Sequence, residues 1–308
     1  MNYRTLFIAT MQTVGLFVAG GVIPLLGQAF ALFTPVPLML LSLRSGRKEG
    51  LVTLAAACGL VSLIGGWQAA AALFFSFGLM AIGASEGMIR RMKPERTALL
   101  GGLLPIAMVG AALAFYLIKV GKNPFLEVDA YLREMITTAA KTYTELGLKE
   151  MAAMITSIPE SYLYYFSRLM PGITIATSVA QAACCYGIAR AVISRHRGAD
   201  PGDTPFASWH APDAWVWGLI AALAFIVLPK DTVRLFGWNL AILFGVVYLT
   251  QGSAIVEHYL RKARLKTFMR GLVIGLILAM PTIVFVIALG IVDIWADFRK
   301  VRGPVQTA

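Results

Sequence analysis

A chain of 308 residues would ordinarily fold as one large or two medium soluble domains, but 58% of these residues are hydrophobic, only 14% are charged, and the mean hydropathy is +0.73. So few polar side chains cannot cover a water-facing surface, which excludes a soluble globular fold and makes the long apolar blocks membrane spans. The net charge of +11 does not point to nucleic acid, because the bases sit in short clusters between apolar runs and are not gathered on one water-facing face.

In chain order, apolar run lengths give nine candidate spans, at roughly 6–22, 25–43, 50–64, 67–89, 98–118, 169–193, 214–229, 237–260 and 268–292. Gly20, Gly21 and Pro24 interrupt the first long apolar stretch, and Gly65, Gly66 and Trp67 interrupt the next. Each flanking pair is therefore either a tight helical hairpin or one broken helix. The run at 50–64 is short for a full crossing, as expected of a span with little tilt or of a re-entrant one.

Basic residues set the orientation, since Lys and Arg are retained in cytoplasmic loops. With the N-terminus inside beside Arg4, the inside loops hold Arg44, Arg47 and Lys48; Arg90, Arg91, Lys93 and Arg96; Arg190, Arg195 and Arg197; and Arg261, Lys262, Arg264, Lys266 and Arg270. That is 16 of the 27 bases, while the turns near 21–24 and 65–67 hold none. One feature conflicts: nine spans would leave Arg299, Lys300 and Arg302 outside. The expected fold is an all-α polytopic membrane helix bundle of about eight or nine transmembrane helices. Its first helix is retained, not cleaved as a signal peptide, and the membrane is the bacterial inner membrane.

The segment 122–167 between the fifth and sixth spans is polar and amphipathic. Leu126, Leu132, Met135, Ile136, Ala139, Ala140, Tyr143 and Leu146 recur near helical spacing, opposite Glu127, Asp129, Arg133, Glu134, Lys141 and Glu145. Gly147 and Pro159 break it, and Tyr162, Tyr164, Tyr165 and Phe166 form an interfacial aromatic belt. This divides the chain into N-terminal membrane helices (1–121), an extracytoplasmic amphipathic segment (122–167) and C-terminal membrane helices (168–308). The connector 195–213, with Gly198, Pro201, Gly202, Pro205 and Pro212, reads as an irregular cytoplasmic loop.

Polar side chains at membrane depth are the site candidates, because they are costly unless they face a bundle interior or a cavity. Thr174, Ser178, Gln181 and Cys185 form a narrow stripe on the sixth span. Either they hydrogen-bond neighbouring helices or they face a substrate. In the eighth span, which also carries Asn239, Gln251 and His258 share a face, as do Thr250 and Glu257. A carboxylate beside an imidazole can bind a cation or relay protons, whereas pairing of Glu257 with Arg261 and Lys262 would be structural. Glu86 has the same two readings, with Arg90 following at i+4 as in an ordinary helix pair. Gly83 with Gly87 and Gly271 with Gly275 have the spacing that permits close helix approach. The scattered Cys58, Cys184, Cys185, His196, His210 and His258 suggest neither disulfides nor a metal site. No phosphate loop, zinc-protease or dinucleotide motif is present, and no nucleophile and base pair is legible, so the expectation is a protein that is not an enzyme and needs no cofactor.

Gln251-Gly252 in the penultimate span and the ending Gly290-Ile291-Val292-Asp293-Ile294-Trp295-Ala296-Asp297-Phe298-Arg299-Lys300 resemble the YybS-like family of uncharacterised bacterial multi-pass membrane proteins. That family is more distantly similar to the substrate-binding subunits of energy-coupling-factor transporters and to the rod-shape protein MreD. The resemblance implies a compact helical membrane domain that binds a solute or a partner. The first helix departs from the transporter branch, because Ala9 and Ala19 lack its Ala-x-x-x-Ala docking spacing. Two functional expectations follow. The first is a solute-binding transporter subunit without its own ATPase, with Thr174, Ser178, Gln181, Gln251, Glu257 and His258 as substrate-binding residues. The alternative is an MreD-like assembly protein that recruits membrane partner subunits through the amphipathic segment and a tail contact made by Asp293, Trp295, Asp297 and Arg299.

Overall fold

The computed structural model of the chain describes residues 3–23, 27–121, 123–197, 206–279 and 282–300, and every regular element among them is helical. Pro24, residues 198–205 of the 195–213 connector (with Gly198, Pro201, Gly202 and Pro205), the side chains of His196 and Arg197, and Arg302 lie outside the described residues. The helices are α1 (Tyr3–Val22), α2 (Gly27–Leu32), α3 (Pro35–Ser45), α4 (Arg47–Ala72), α5 (Leu79–Ile89), α6 (Pro94–Val120), α7 (Pro124–Glu145), α8 (Lys149–Thr156), α9 (Glu160–Arg197), α10 (Trp215–Val227), α11 (Asp231–Lys262), α12 (Thr267–Ala279) and α13 (Ile283–Ala296). A π-helical stretch, Leu73–Gly78, joins α4 to α5. Among the described residues, 5 helices are long and apolar enough to cross a membrane: α1, the continuous run Arg47–Ile89, α6, α9 and α11.

The chain divides into two compact units, one made of Met1–Val109, Ile175–Trp215 and Phe244–Ala308, the other of Gly110–Thr174 and Val216–Leu243. In the first unit, Arg47–Ile89 folds back on itself. Gly66 takes φ +78°, ψ 176°, a conformation closed to residues with a Cβ. Cys58 Sγ then lies 3.8 Å from Ala70 O, although an unbroken helix would hold these residues roughly 18 Å apart. Leu54 packs directly on Gly78 across the same hairpin. The hairpin buries Ala57, Val61 and Leu73 against Val14 of α1, and Phe17 meets Phe77 edge to face at 5.9 Å. A second cluster joins Val36, Leu38 and Met39 of α3 with Leu54, Ala81, Ala84, Cys185 and Ala189. The interrupted stretch around Gly20 is likewise a hairpin, with Gly20 against Ala31 and Gly27 against the Ala19 and Gly20 carbonyls.

The single span expected at 268–292 is instead two short helices, α12 of 13 residues and α13 of 14. At 1.5 Å per residue each is about 20 Å long, less than the roughly 30 Å of a hydrocarbon core. The chain leaving α13 comes back to the C-terminal end of α11, where Tyr259 Oη donates to Phe298 O at 3.2 Å. The tail therefore lies at the same end of this unit as the basic turn after α11.

In the second unit, α7 starts on Asn123, whose Oδ1 accepts from Phe125 N at 3.0 Å, with Pro124 at the first helical position. It ends at Gly147, φ +78°, with Leu148 N donating to Tyr143 O. Helix α8 packs back on α7 through the buried Ala140 and Ala152. Arg133 pairs with Glu160 at 2.7 Å, and Arg168 Nη1 lies 2.7 Å from each Asp129 oxygen while its guanidinium stacks 4.0 Å from the Tyr164 ring.

Candidate functional site

The C-terminal helices of the first unit cross so closely that a Cβ on Gly252 would sit 2.0 Å from Val286 O, and one on Gly290 2.0 Å from Tyr248 O. Only glycine fits on either side, and the two backbones touch. One residue before Gly252 and three residues after Gly290, this contact brings Gln251 and Asp293 together: Gln251 Nε2 donates to Asp293 Oδ2 at 3.1 Å. Both side chains are buried, at 0% and 2% exposure.

The end of α13 completes the cluster. Asp297 closes the helix in the left-handed conformation, φ +38°, and the reversed chain lets Phe298 N donate to Asp293 Oδ1 at 2.9 Å. Arg299 then turns inward. Its Nη2 donates to Asp293 Oδ2 at 2.9 Å, and its Nη1 donates to Ala207 O and Trp209 O, each at 2.9 Å. Ala211 N donates to Gln251 Oε1 at 3.0 Å, so the connector before α10 is held from both sides. A carboxylate accepting three hydrogen bonds, two of them from neutral donors, and a guanidinium bound to that carboxylate and two carbonyls make a neutral, desolvated unit.

A second cluster lies one end of α11 further on. Glu257 Oε1 accepts from Arg261 Nε at 2.7 Å and from Arg270 Nη1 of α12 at 2.5 Å. Arg261 was legible as an i,i+4 partner; Arg270, thirteen residues on, was not. His258 points elsewhere, its ring edge-on to Tyr259 at 5.5 Å, so Glu257 and His258 do not form one ion site.

The stripe on the sixth span is shared between the units: Thr174 belongs to the second, and Ser178, Gln181 and Cys185 to the first. Ser178 Oγ donates to Gly102 O at 2.8 Å, where Gly102 lets the α6 backbone meet Val179. Gln181 Nε2 donates to Leu32 O at 3.2 Å and Cys185 Sγ lies 3.2 Å from the same oxygen. These side chains satisfy carbonyls left open where α2 ends before α3, which a broken helix at membrane depth requires.

Asp293 and Arg299, expected to meet a partner, bond each other inside the chain, whereas Trp295 is 70% exposed. Of the two glycine pairs, Gly83 and Gly87 meet Leu100, Gly101 and Thr97 closely, while Gly271 and Gly275 face open space. Sequence reasoning noted Asn239 but not its use. Pro171 interrupts α9 in the second unit, and the Asn239 amide occupies the gap: Gly172 N donates to its Oδ1 at 2.7 Å, and its Nδ2 donates to Arg168 O at 3.0 Å. It also passed over Gln12, an amide midway along α1. Among the described residues no group of His, Cys, Asp and Glu is arranged to hold a metal ion.

Open cavities among the described residues include one of about 500 Å³ in the first unit, lined by residues including Gln12, Phe33, Pro37 and Ile188, and one of about 380 Å³ between α7 and α8. Neither is lined by the stripe or by the buried cluster. No curated protein and no solved structure matches the chain. Residues 12–294 match the family model described as "Predicted membrane protein (DUF2232)", and the chain, an integral membrane protein, belongs to that family.

Proposed function

We propose that this protein is a non-catalytic inner-membrane assembly subunit that acts by docking other membrane proteins. The observation that carries this reading is where the intramembrane hydrogen bonds go. Ser178, Gln181, Gln251 and Glu257 each bond inside the chain, to the Gly102 and Leu32 carbonyls, to Asp293 and Ala211, and to Arg261 and Arg270. A solute would have to displace these bonds, and each buried partner left unsatisfied costs about 1–3 kcal/mol. The outward-facing surface is instead rich in large apolar groups, including Leu126, Tyr131, Met135, Met151 and Met154 on the α7–α8 hairpin.

The topology that goes with this reading has the basic loops at 44–48, 90–96, 190–197 and 261–266 in the cytoplasm of a bacterial cell. With the two arms of the Gly66 hairpin, the α2–α3 pair and α10 each taken as one pass beside α1, α6, α9 and α11, this topology has eight passes. The α12–α13 pair adds no net crossing, and the C-terminus is cytoplasmic. As the resemblance to MreD suggests, the α7–α8 hairpin is then an extracytoplasmic docking element.

The test is co-purification from native membranes with and without residues 125–158. A stoichiometric partner lost on deletion, with the membrane helices still folded, is the expected result. Retention of a defined solute by the purified chain, abolished by Gln181→Leu or Gln251→Leu, would overturn the docking reading in favour of a transporter subunit.

A further inference from the structure

We infer that the chain pairs with a second copy of itself through α1, the two Gln12 side chains hydrogen-bonding to each other across a two-fold axis. Helix α1 is a 20-residue apolar span with Gln12 at its middle. Its other central polar groups are satisfied within the helix, Thr10 by Leu6 O and Thr13 by Ala9 O, both at 2.9 Å. Gln12 is exposed and makes no hydrogen bond among the described residues. In hydrocarbon an amide left without a partner is costly, so this side chain calls for one from outside the chain.

The surroundings define what that partner looks like. Gln12 lies on the rim of the open 500 Å³ groove, whose lining is otherwise apolar and offers no side-chain acceptor: Gly15, Leu16, Phe33, Pro37 and Ile188. A lipid tail could fill the groove but cannot bond the amide. A second Gln12 can, because a primary amide is donor and acceptor at once, and two related by a two-fold axis satisfy each other. The helix face permits the approach. Gly15, one turn along, has no atom within 4 Å of where a Cβ would stand, and Ala19 follows at i+4, giving the small-x-x-x-small spacing of close helix pairs. Met11, next to Gln12, and Ile8, one turn before it, are exposed and free to enter the groove of the other copy.

This pairing deepens the docking reading by naming a first partner, yet the two fail separately. Full chains carrying donor or acceptor fluorescent proteins at the C-terminus are reconstituted in phosphatidylcholine vesicles over a series of protein-to-lipid ratios. Energy transfer then reports the dimer. The wild type is expected to show saturable, dimeric transfer. Gln12→Leu is expected to weaken association about tenfold, the size of a 1.4 kcal/mol interhelical hydrogen-bond contribution. Gly15→Leu, which blocks approach while keeping the amide, is expected to weaken it as well. Both positions face open space, so neither change unfolds the chain, and helical circular dichroism checks this. Transfer no greater than that of randomly placed monomers, or a Gln12→Leu chain that pairs as well as the wild type, would overturn the inference. So would α1 cross-linking only to a different protein in native membranes. The co-purification after deletion of 125–158 touches no residue of α1, so its outcome stands independently.

Discussion

Replacing one member of the Asp293–Arg299 pair tests whether the tail cluster behaves as a single desolvated unit. In Asp293→Leu, a guanidinium with 0% side-chain exposure keeps only the Ala207 and Trp209 carbonyls. The uncompensated charge sets the cost, about 3–5 kcal/mol. Arg299→Leu leaves a 2%-exposed carboxylate with Gln251 Nε2 and Phe298 N, and frees two carbonyls, for a similar loss of about 3–5 kcal/mol. Independent effects would sum to roughly 6–10 kcal/mol in the double variant. Because most of each loss is the same unpaired charge, the double variant is expected to cost no more than the worse single one. The coupling energy is then about 3 kcal/mol or more. The assay is unfolding of the detergent-solubilised chain by sodium dodecyl sulfate, followed by helical circular dichroism across the four-member cycle. Singles within about 1 kcal/mol of the wild type, or a double variant equal to their sum, would refute the argument.

Three further outcomes follow from the same contacts. Gly290→Ala or Gly252→Ala, each forcing a Cβ to 2.0 Å from a carbonyl oxygen, is expected to destabilise by more than about 2 kcal/mol, whereas Gly275→Ala, in open space, gains up to about 1 kcal/mol; the same titration measures both. Asn239→Ala is expected to cost about 2 kcal/mol by orphaning Gly172 N and Arg168 O, and less in a Pro171→Ala background where α9 can close its own ladder, as a thermal-unfolding cycle would read. The Arg168 guanidinium hydrogen-bonded to Asp129 holds that carboxyl below its usual value of about 3.9, with Ser167 and Arg133 adding to the effect. A depressed folded-state value means the contribution is complete above about pH 4 and is lost as pH falls through the lower folded value. Asp129→Asn should therefore remove part of the acid destabilisation seen in a pH series of melting curves.

Run length found the five long apolar helices, because length and hydropathy alone mark them, but it also gave spans at 25–43, 214–229 and 268–292 where the helices are shorter; Gly66 was legible as a break because glycine interrupts an apolar run. What run length cannot give is direction after a break. Residues 268–292 form one apolar stretch in the sequence, and only the bonds of Phe298 and Arg299 with Tyr259, Ala207 and Trp209 reveal that the chain turns back. The site was legible in part. Gln251, Asp293 and Arg299 stood out as polar residues in or beside apolar helices, but the sequence carries no sign that they meet, since the Gly252–Gly290 contact that joins them is a tertiary event. Gln12 was not legible as a site, because a lone amide in an apolar helix has no periodicity to announce it.

The charge conflict at the C-terminus has a physical resolution. Arg299 is neutralised by Asp293 in a buried contact and therefore counts little as a solvated charge, whereas Lys300 is exposed and, in the proposed orientation, counts with the cytoplasmic bases. The tail returns to the end of α11 that carries Arg261, Lys262, Arg264 and Lys266, so Lys300 joins the basic side without any change to the preceding loops. An odd count of apolar runs followed by a basic tail is thus evidence for a reversal inside the last run, and the residues that hold the reversal are the polar ones flanking it. In this chain they are Gln251, Asp293 and Arg299: Gln251 and Arg299 hold the connector directly through Ala211, Ala207 and Trp209, so replacing either should loosen it, whereas replacing Asp293 should release the tail, whose Phe298 N and Arg299 it binds.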